Sequence, residues 1–426
     1  MDSSLPFDNL ETPVEAPSAA PAAPAAVNQG DKHIWGIYIA LCIISMIELY
    51  SASSREVASS SMGVFGPIIR HTVMLVGGFV LMWIVSRRHY REFLPWTLLF
   101  AAVSAGLMIY VMNYGEYING ARRSVTILGI SIQPAEFIKM SSVLLVALFM
   151  AKNMKKKSVG VEDKGIIYAA VAILFFSGLL VKQGLTNTML LMAISISMML
   201  IGGVAIKKML IVLGIYVVLG GTGYVLMSSS DGENRTGTWQ QRIERFADDT
   251  PKYEQKIDAK NRQEMYGYMA MANGGVVGVF PGNSRETSRL PLAFSDYIFS
   301  IIVEDTGLIG GLFVLVLYLW LLARAAGIAA RCSRAYPALL VIGMAVMIVF
   351  QALFHMAIVT GVSPVSGQPL PLISKGGSSI LITSIAFGVM LSVSRFAVRH
   401  NSKKAQIKEE INSLPEEIVA ENPTQL

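Results

Sequence analysis

Ten apolar stretches, each near the length needed to cross a bilayer, constrain this chain more than any other feature. Hydrophobic residues make up 53% of the 426 residues and only 15% are charged, which excludes an ordinary soluble globule. Backbone inside lipid must satisfy its own hydrogen bonds, so each stretch of about 20 apolar residues predicts a helix. We therefore predict an all-α integral membrane protein with about ten transmembrane helices and one large extracytoplasmic loop. The stretches are 34–53, 67–86, 94–113, 134–151, 165–182, 186–203, 209–228, 297–323, 337–360 and 377–396.

Basic residues are distributed unevenly between the two sides of this predicted bundle. With the N-terminus taken as cytoplasmic, the short inside connections carry thirteen Lys and Arg residues and the short outside connections carry four. Positive charge collects on the cytoplasmic side of membrane proteins, so both termini are predicted to be cytoplasmic. The net charge of +6 follows from this topology and does not indicate nucleic-acid binding.

The chain divides into a membrane domain and two tails. Residues 1–33 are rich in Ala, Pro and Ser and lack a basic segment before an apolar core, which predicts a disordered cytoplasmic tail and not a cleaved signal. Residues 34–400 form the membrane domain, and its outside loop, 229–295, is too long to be a simple connector. Residues 401–426 are charged and are predicted to be a cytoplasmic tail, either solvated or partner-binding.

Asp296 closes the long outside loop at the mouth of the eighth apolar stretch. An ionisable group at the edge of hydrocarbon is costly and is a functional-site hypothesis by default. A carboxylate placed there is a candidate proton acceptor. Ser295 and Asp296 can instead cap the helix that follows, and position alone leaves both interpretations open.

Four charged residues flank the start of the fourth apolar stretch. Arg122 and Arg123 precede it and can bind a phosphate bidentately or lie among lipid headgroups. Glu136 and Lys139 are three residues apart, which places both on one helix face. Their pairing is either a structural ion pair that joins helices or part of a functional site.

Two glycine-containing segments also face the outside. The segment Asn273–Ser284 holds four glycines in nine residues, which lets backbone amides form an anion-binding concavity. It lacks the strand-then-helix frame and the Lys-Ser/Thr ending of a nucleotide loop, so ATP binding is rejected. The segment Gly361–Ser379 carries helix breakers at membrane depth, which favours a re-entrant loop lining a cavity over a plain kinked connection.

Over about residues 34–399 the chain resembles the SEDS family, the membrane polymerases of peptidoglycan. The segment Gly120–Lys139 resembles the family's GARRW…QPSE..K motif, and Gly274–Glu304 resembles GG..G.G.G.S…LP…TDFIF…E. The segment Gly367–Ser379 is similar to TG..LPFISYGGSS. The first two motifs look more like the division branch, FtsW, than the elongation branch, RodA. The departures from the family pattern include Ser124, Phe280, His355 and Lys375.

The resemblance implies an inverting glycosyltransferase that polymerises lipid II on the outer face of the bacterial cytoplasmic membrane. Asp296 would be its catalytic general base, and undecaprenyl pyrophosphate would be released. The implied substrates are lipid II and the growing glycan strand, and the implied partners are a class B penicillin-binding protein and other divisome membrane proteins. Mg²⁺ or another divalent cation is a candidate cofactor. The candidate substrate-binding residues are Arg123, Glu136, Lys139, Arg242, Gly282, Ser284, Ser374, Gly376, Gly377 and Ser378.

Two other functions stay open on the sequence. A lipid II flippase would use the same substrate and cavity without chemistry, although no internal repeat of the kind typical of transporters is evident. A non-catalytic divisome scaffold would only recruit partners, and its outside motifs would be dispensable.

A further ion pair is predicted between Glu48 and Arg70, near the outer ends of the first two apolar stretches. Each charge is costly in hydrocarbon alone, and pairing across the helical hairpin would relieve both. The alternative is that each side chain extends separately to the headgroups. The expected role of the pair is scaffold stability.

Overall fold

Helices occupy all ten apolar stretches, which confirms the predicted helical membrane architecture. By length and apolar composition, eight of the described helices are able to cross a membrane, and the exact number of spans stays a prediction. The structure is a computed structural model. It describes residues 30–52, 65–118, 121–127, 130–155, 160–181, 183–230, 246, 257–258, 261–290, 293–332 and 334–413.

The helices follow one another with short connections except before the eighth apolar stretch. The first seven are α1 (Lys32–Ala52), α2 (Phe65–Arg87), α3 (Phe93–Tyr114), α4 (Pro134–Lys152), α5 (Asp163–Val181), α6 (Leu185–Ile201) and α7 (Ile206–Ser230). The remaining four are α8 (Arg262–Gly274), α9 (Ile298–Ala330), α10 (Ala335–Val359) and α11 (Gly377–Ser413). The short helix α8 lies inside the predicted loop 229–295. Helix α11 continues past the predicted start of the tail at residue 401.

A small antiparallel sheet joins α3 to α4 and was not part of the all-α prediction. Its strands, β1 (Glu116–Ile118), β2 (Ala121–Ile127) and β3 (Ile130–Ile132), pair in the order β1–β2–β3. Strands this short give too few residues for a recognisable alternation of apolar and polar side chains. The central strand carries Arg122 and Arg123.

Three helices, α4, α10 and α11, form the interior of the bundle. In their most apolar windows 83%, 78% and 83% of the positions are buried, against 22% in α2. The outer helices expose apolar side chains such as Phe79, Trp83 and Trp320, as contact with lipid tails requires. Polar groups on the three inner helices are therefore enclosed by protein.

The loops define two ends of the bundle. One end, called the loop face here, is formed by the sheet together with the segments Gly274–Asp296 and Gly361–Gly376. The C-terminal end of α1 lies there, because the N–H of Gly282 donates to Oγ of Ser51 at 3.1 Å.

The opposite end collects the other helix termini. Asp31, just before α1, pairs with Arg324 near the end of α9. Oγ of Ser392 on α11 donates to the backbone oxygen of Arg88, just after α2, at 2.6 Å. Successive long helices therefore run in alternating directions, as membrane spans do.

The predicted ion pair between Glu48 and Arg70 is wrong. Glu48 is 2% exposed and its Oε2 makes no hydrogen bond, while Arg70 is exposed. Helix α1 packs mainly against α9 and only lightly against α2, so its rotation turns Glu48 into the protein. Arg70 faces outward, where its long side chain reaches toward the membrane boundary.

Candidate functional site

Asp296 lies at the loop face, in the turn just before α9. Its carboxylate is partly exposed, and Oγ of Ser295 donates to its Oδ1 at 3.1 Å. A Cβ atom at Gly367 would lie only 2.8 Å from Oδ2 of Asp296, so the backbone of the segment Gly361–Gly376 forms a wall against one side of the carboxylate. The N-cap position of α9 is Tyr297, and Asp296 lies one residue before it.

Arg123 brings positive charge to the same place. It is partly buried, and its Nε has no hydrogen-bond partner among the described residues. Burial lowers the pKa of the Arg123 guanidinium, and the nearby Asp296 carboxylate opposes that shift. A guanidinium is not deprotonated in proteins near neutral pH, so Arg123 supplies positive charge here. Arg122 differs, because it is exposed and donates to the backbone oxygen of Asn113.

The turn that carries the carboxylate is fastened by the extended segment before α11. Oγ of Ser374 accepts the N–H of Leu370 and donates to the backbone oxygen of Ser295, both at 2.7 Å. The N–H of Lys375 donates to the backbone oxygen of Phe294 at 3.0 Å. The Lys375 ammonium also lies 4.9 Å from the centre of the Phe294 ring, a cation–π contact. Ser374, predicted to bind substrate, thus joins two loops of the protein.

Three further predicted site residues, Gly376, Gly377 and Ser378, lie at the start of α11. Oγ of Ser378 accepts the N–H of Gln133 at 3.0 Å, and the backbone oxygen of Gly376 accepts the N–H of Ile380 at 3.0 Å. Gly377 is the first residue of the helix. The Ser378 bond connects α11 to the residue that follows the sheet, whereas the Gly376 bond belongs to the first turn of α11 itself. The predicted substrate binding by these residues stays a prediction.

The predicted pairing of Glu136 and Lys139 is confirmed. Nζ of Lys139, which is 0% exposed, lies 2.7 Å from Oε1 of Glu136. Gln351 on α10 completes the group, since its Oε1 accepts from Lys139 at 2.9 Å and its Nε2 donates to Glu136 at 3.3 Å. The same Nε2 reaches the backbone oxygen of Pro369 at 3.4 Å. The pair therefore fastens α4 and α10 to the segment that lies against Asp296.

Sequence reasoning missed a second attachment one turn further along α10. Nδ1 of His355 lies 2.6 Å from the backbone oxygen of Gln368, a contact that requires the hydrogen on Nδ1. Nε2 of Gln368 donates to Oδ1 of Asn187 on α6 at 2.9 Å. Gln368 directly follows Gly367, the wall of the Asp296 carboxylate. The available signal was the spacing of Gln351 and His355, two polar side chains four residues apart in an apolar span.

The glycine-rich segment packs against a break in α9. Gly307 has φ 70° and ψ −173°, which interrupts the helical hydrogen bonds on both sides of it. The freed groups pair with the glycine-rich segment, so backbone at membrane depth stays satisfied. The four bonds are Val279 N to Glu304 O at 3.0 Å, Phe280 N to Asp305 O at 2.8 Å, Leu308 N to Gly275 O at 3.0 Å and Ile309 N to Val276 O at 3.3 Å.

The carboxylate of Glu304 holds the end of this segment. It is 0% exposed and accepts hydrogen bonds from Oγ of Ser284 and from the N–H groups of Arg285 at 3.0 Å and Glu286 at 3.4 Å. Nδ2 of Asn273 adds a fourth at 3.5 Å. The Ser284 hydroxyl, predicted to bind substrate, is therefore bonded to the protein itself.

The glycines of this segment serve close packing. A Cβ at Gly278 would lie 2.3 Å from the backbone oxygen of Asp305, and the N–H of Gly282 bonds Ser51. Phe280 stands where the family motif has glycine and keeps the positive φ, 70°, that glycine would adopt. The described amides thus bond protein acceptors, and this geometry does not support the predicted anion-binding concavity.

The predicted cofactor finds no built site beside Asp296. Among the described residues, no three His, Cys, Asp or Glu side chains are arranged to hold a metal ion. The described surroundings of Asp296 offer one carboxylate, and Mg²⁺ is usually held by one or two carboxylates together with substrate phosphates and waters. The predicted divalent cation therefore stays a prediction. Arg242, a predicted substrate-binding residue, lies outside the described residues.

Comparison with known proteins agrees with the motifs. The family model described as "Cell cycle protein", which covers FtsW, RodA and SpoVE, matches residues 31–399. A probable peptidoglycan glycosyltransferase FtsW of Dichelobacter nodosus is 29% identical over 379 residues, 86% of this chain and 91% of the relative. Stage V sporulation protein E of Bacillus subtilis is 28% identical over 366 residues, 85% of this chain and 96% of the relative.

Solved structures show the same fold. A chain from a peptidoglycan synthase complex that coordinates polymerization and crosslinking aligns with a TM-score of 0.66 at 21% identity, over 86% of this chain and 98% of that one. The rod shape determining protein RodA of Thermus thermophilus aligns with a TM-score of 0.59 at 21% identity, over 86% and 97%. With a family model that matches nearly the whole membrane domain, the chain belongs to the FtsW/RodA/SpoVE family, the SEDS proteins, and its relatives support the FtsW branch.

Proposed function

We propose that this protein is a peptidoglycan glycosyltransferase that polymerises lipid II during cell division. The observation that carries the proposal is the setting of Asp296. This partly exposed carboxylate has the backbone of Gly367 behind it and the charge of Arg123 nearby, at the loop face of a membrane protein of this family. The relatives named peptidoglycan glycosyltransferase FtsW support the reaction class.

The chemistry needs a base and a stabilised leaving group. Asp296 accepts the proton of the GlcNAc 4-hydroxyl as its oxygen attacks the anomeric carbon of MurNAc. The bond from that carbon to the pyrophosphate oxygen breaks, and undecaprenyl pyrophosphate leaves with the electron pair. Attack from the face opposite the leaving group inverts the anomeric centre. Arg123 contributes positive charge that stabilises the developing negative charge.

The distribution of basic residues supports the proposed membrane orientation, and the similarity to a solved complex supports the proposed partner. The basic connections favour a cytoplasmic location for both termini and for the end opposite the loop face. The loop face, with Asp296, is then extracytoplasmic, on the outer side of the bacterial cytoplasmic membrane. The solved peptidoglycan synthase complex supports a class B penicillin-binding protein as partner, which would crosslink the strand, alongside other divisome membrane proteins.

The deciding experiment measures glycan synthesis from lipid II by the purified protein with its cognate penicillin-binding protein. We expect Asp296→Asn to lower the rate by about 10²–10⁴ while the melting temperature and partner binding stay unchanged. The matched control is Asp163→Asn, which makes the same chemical change at an exposed ion pair with Lys208 away from the loop face. That variant is expected to keep full activity.

Two outcomes would contradict the proposal. Near-normal glycan synthesis by Asp296→Asn would remove this residue from the chemistry. Transfer of labelled lipid II across vesicle membranes by the wild type, with no polymer formed in the presence of the partner, would favour the flippase alternative.

A further inference from the structure

The loop face holds a second set of buried carboxyl groups that the proposed reaction does not use. Glu48 on α1 is 2% exposed and Asp305 on α9 is 0% exposed. Among the described residues, Oε2 of Glu48 and both side-chain oxygens of Asp305 have no well-formed hydrogen bond, and the Ser51 hydroxyl lies close to the Asp305 carboxylate. Neither residue belongs to an ion pair with any side chain in the described part of the protein. Three buried carboxylate oxygens without a donor are strongly unfavourable unless something else neutralises them.

The neighbouring acid, Glu304, shows that this region is able to supply hydrogen-bond donors to a buried carboxylate. Glu304 precedes Asp305 in the chain and accepts four hydrogen bonds from the glycine-rich segment and the two residues that follow it. Asp305 points elsewhere and receives none of them. The missing partners are therefore specific to the space between Glu48 and Asp305.

Backbone contacts bring a hydroxyl oxygen into that space. The N–H of Gly282 donates to Oγ of Ser51 at 3.1 Å, and the N–H of Phe280 donates to the backbone oxygen of Asp305 at 2.8 Å. Two residues of one turn thus hold Ser51 beside Asp305. Glu48 lies three residues before Ser51 on the same face of α1, close enough for its charge to interact with that of Asp305.

The break in α9 adds a fixed dipole at the same point. Gly307 ends the first half of the helix, and Asp305 lies in the last turn of that half. The C-terminal end of a helix carries negative partial charge and favours cations. Interrupted helices with such ends hold inorganic cations in membrane transporters.

We propose that Glu48, Ser51 and Asp305 bind a hard metal cation, of the class of Na⁺, Mg²⁺ or Ca²⁺. The site offers two carboxylates and one hydroxyl and no nitrogen or sulfur ligand, the donor set that such ions prefer. The bound charge replaces the missing hydrogen-bond donors. Because Ser51 and Asp305 also hold Gly282 and Phe280, an occupied site fastens α1 to the first half of α9 and to the glycine-rich segment. This inference is independent of the proposed reaction.

The test is cation-dependent thermal unfolding of the full chain in detergent, after chelation and desalting. Na⁺, Mg²⁺ and Ca²⁺ are titrated separately at constant ionic strength, with N-methylglucamine chloride as the balancing salt. A ligand that binds only the folded state raises the melting temperature with its concentration. We expect one of the three ions to give a saturable rise of a few degrees, with about one ion bound per chain in equilibrium dialysis.

Two near-isosteric variants locate the effect. Glu48→Gln and Asp305→Asn are each expected to fold without added cation, since each removes an uncompensated charge, and to lose the cation-dependent rise. Glu92→Gln, at an exposed pair with Arg88 away from the loop face, is the matched control and is expected to keep it.

Two results would overturn the proposal. One is the absence of any cation-dependent rise, with the melting temperature responding only to acidification, which would mean that the carboxyl groups hold a proton. The other is a cation-dependent rise that persists unchanged in both Glu48→Gln and Asp305→Asn, which would place the ion elsewhere.

Discussion

Two groups of buried acids in this bundle differ in how their charge is compensated. Glu136 has Lys139 at 2.7 Å and Gln351 beside it, so its charge is balanced within the protein. Glu48 and Asp305 lie near each other, and among the described residues they have no basic partner and three of their oxygens have no well-formed hydrogen bond. A buried acid that pairs with a basic side chain holds helices together. A buried acid without such a pair is a candidate ligand for a cation or a proton. The comparison separates anchors from candidate binding sites without reference to sequence motifs.

The strongest way to break this comparison is to remove one member of the compensated group. Glu136→Ala and Lys139→Ala are each expected to lower the free energy of unfolding by about 3–5 kcal/mol, because each leaves a buried charge without its partner. The double variant is expected to lose much less than the sum of the two. Chemical unfolding of all four proteins in detergent measures the coupling.

The control for that cycle is Lys164→Ala, which removes an exposed lysine and is expected to leave the free energy of unfolding almost unchanged. Strictly additive costs for Glu136→Ala and Lys139→Ala would show that the two charges do not depend on each other. The pair would then no longer represent the compensated case.

His355 is an intermediate case, because only one of its two ring nitrogens has a hydrogen-bond partner among the described residues. Nδ1 bonds the backbone oxygen of Gln368 at 2.6 Å, and Nε2 is buried without a partner. We expect His355→Leu to cost about 1–3 kcal/mol, since it leaves that backbone oxygen unpaired, and to lower polymerisation by loosening the wall at Gly367.

His355→Asn is the matched variant, because its side-chain N–H is able to replace the lost donor. Recovery of glycan synthesis and of the melting temperature in this variant, but not in His355→Leu, would identify the Nδ1 contact as the important one. Equal losses in both variants would show that ring packing matters and the hydrogen bond does not.

The smallest expected effect belongs to the pair of Asp31, which is buried, and Arg324, which is partly exposed. Oδ1 of Asp31 also caps α1 by accepting the N–H groups of His33 at 2.9 Å and Ile34 at 3.2 Å. Asp31→Asn keeps a capping oxygen and removes only the charge, so we expect a loss of about 0.2–1 kcal/mol. Asp31→Ala also removes the cap and is expected to cost about 1 kcal/mol more. Thermal unfolding of both variants separates the two contributions.

The same pair carries a pH dependence of defined sign. Burial works to raise the pKa of Asp31, but the hydrogen bond from Arg324 and those from the backbone outweigh it and hold the pKa below its ordinary value. A lowered folded-state pKa contributes stability above the unfolded value, about 3.9, that is lost as the pH falls through the folded value. The difference between wild type and Asp31→Asn is therefore expected to shrink below about pH 4. A difference that grows on acidification would reverse the assigned sign.

Features set by short stretches of sequence could be predicted from this chain. The helices followed from windows of about 20 apolar residues, and the Glu136–Lys139 contact followed from a spacing of three on one helix. The helices and the Glu136–Lys139 contact both depend on residues close together in the sequence, so they could be predicted without knowing how the helices pack.

Features that depend on the rotation of a helix about its axis, or on the backbone torsion angles of a single residue, could not be predicted. Glu48 and Arg70 lie at the right depth, but the packing of α1 on α9 turns them apart. The break at Gly307 is one glycine in an apolar run, which by itself is compatible with an unbroken helix. The glycine-rich segment looked like an anion site because its sequence does not show that the carbonyls freed at Glu304 and Asp305 take its amides.

The hydroxyl of Ser374 has a consequence for the order of events in biosynthesis. Asp296 and the whole of α9 are translated well before residue 374, and Ser374 and Lys375 both bond the turn that holds the carboxylate. Gly367, the wall behind that carboxylate, also arrives late. A nascent chain halted before residue 367 thus contains Asp296 but lacks the backbone wall at Gly367 and the contacts of Ser374 and Lys375. The surroundings of the Asp296 carboxylate are therefore completed by the segment between α10 and α11, after α9 has been made.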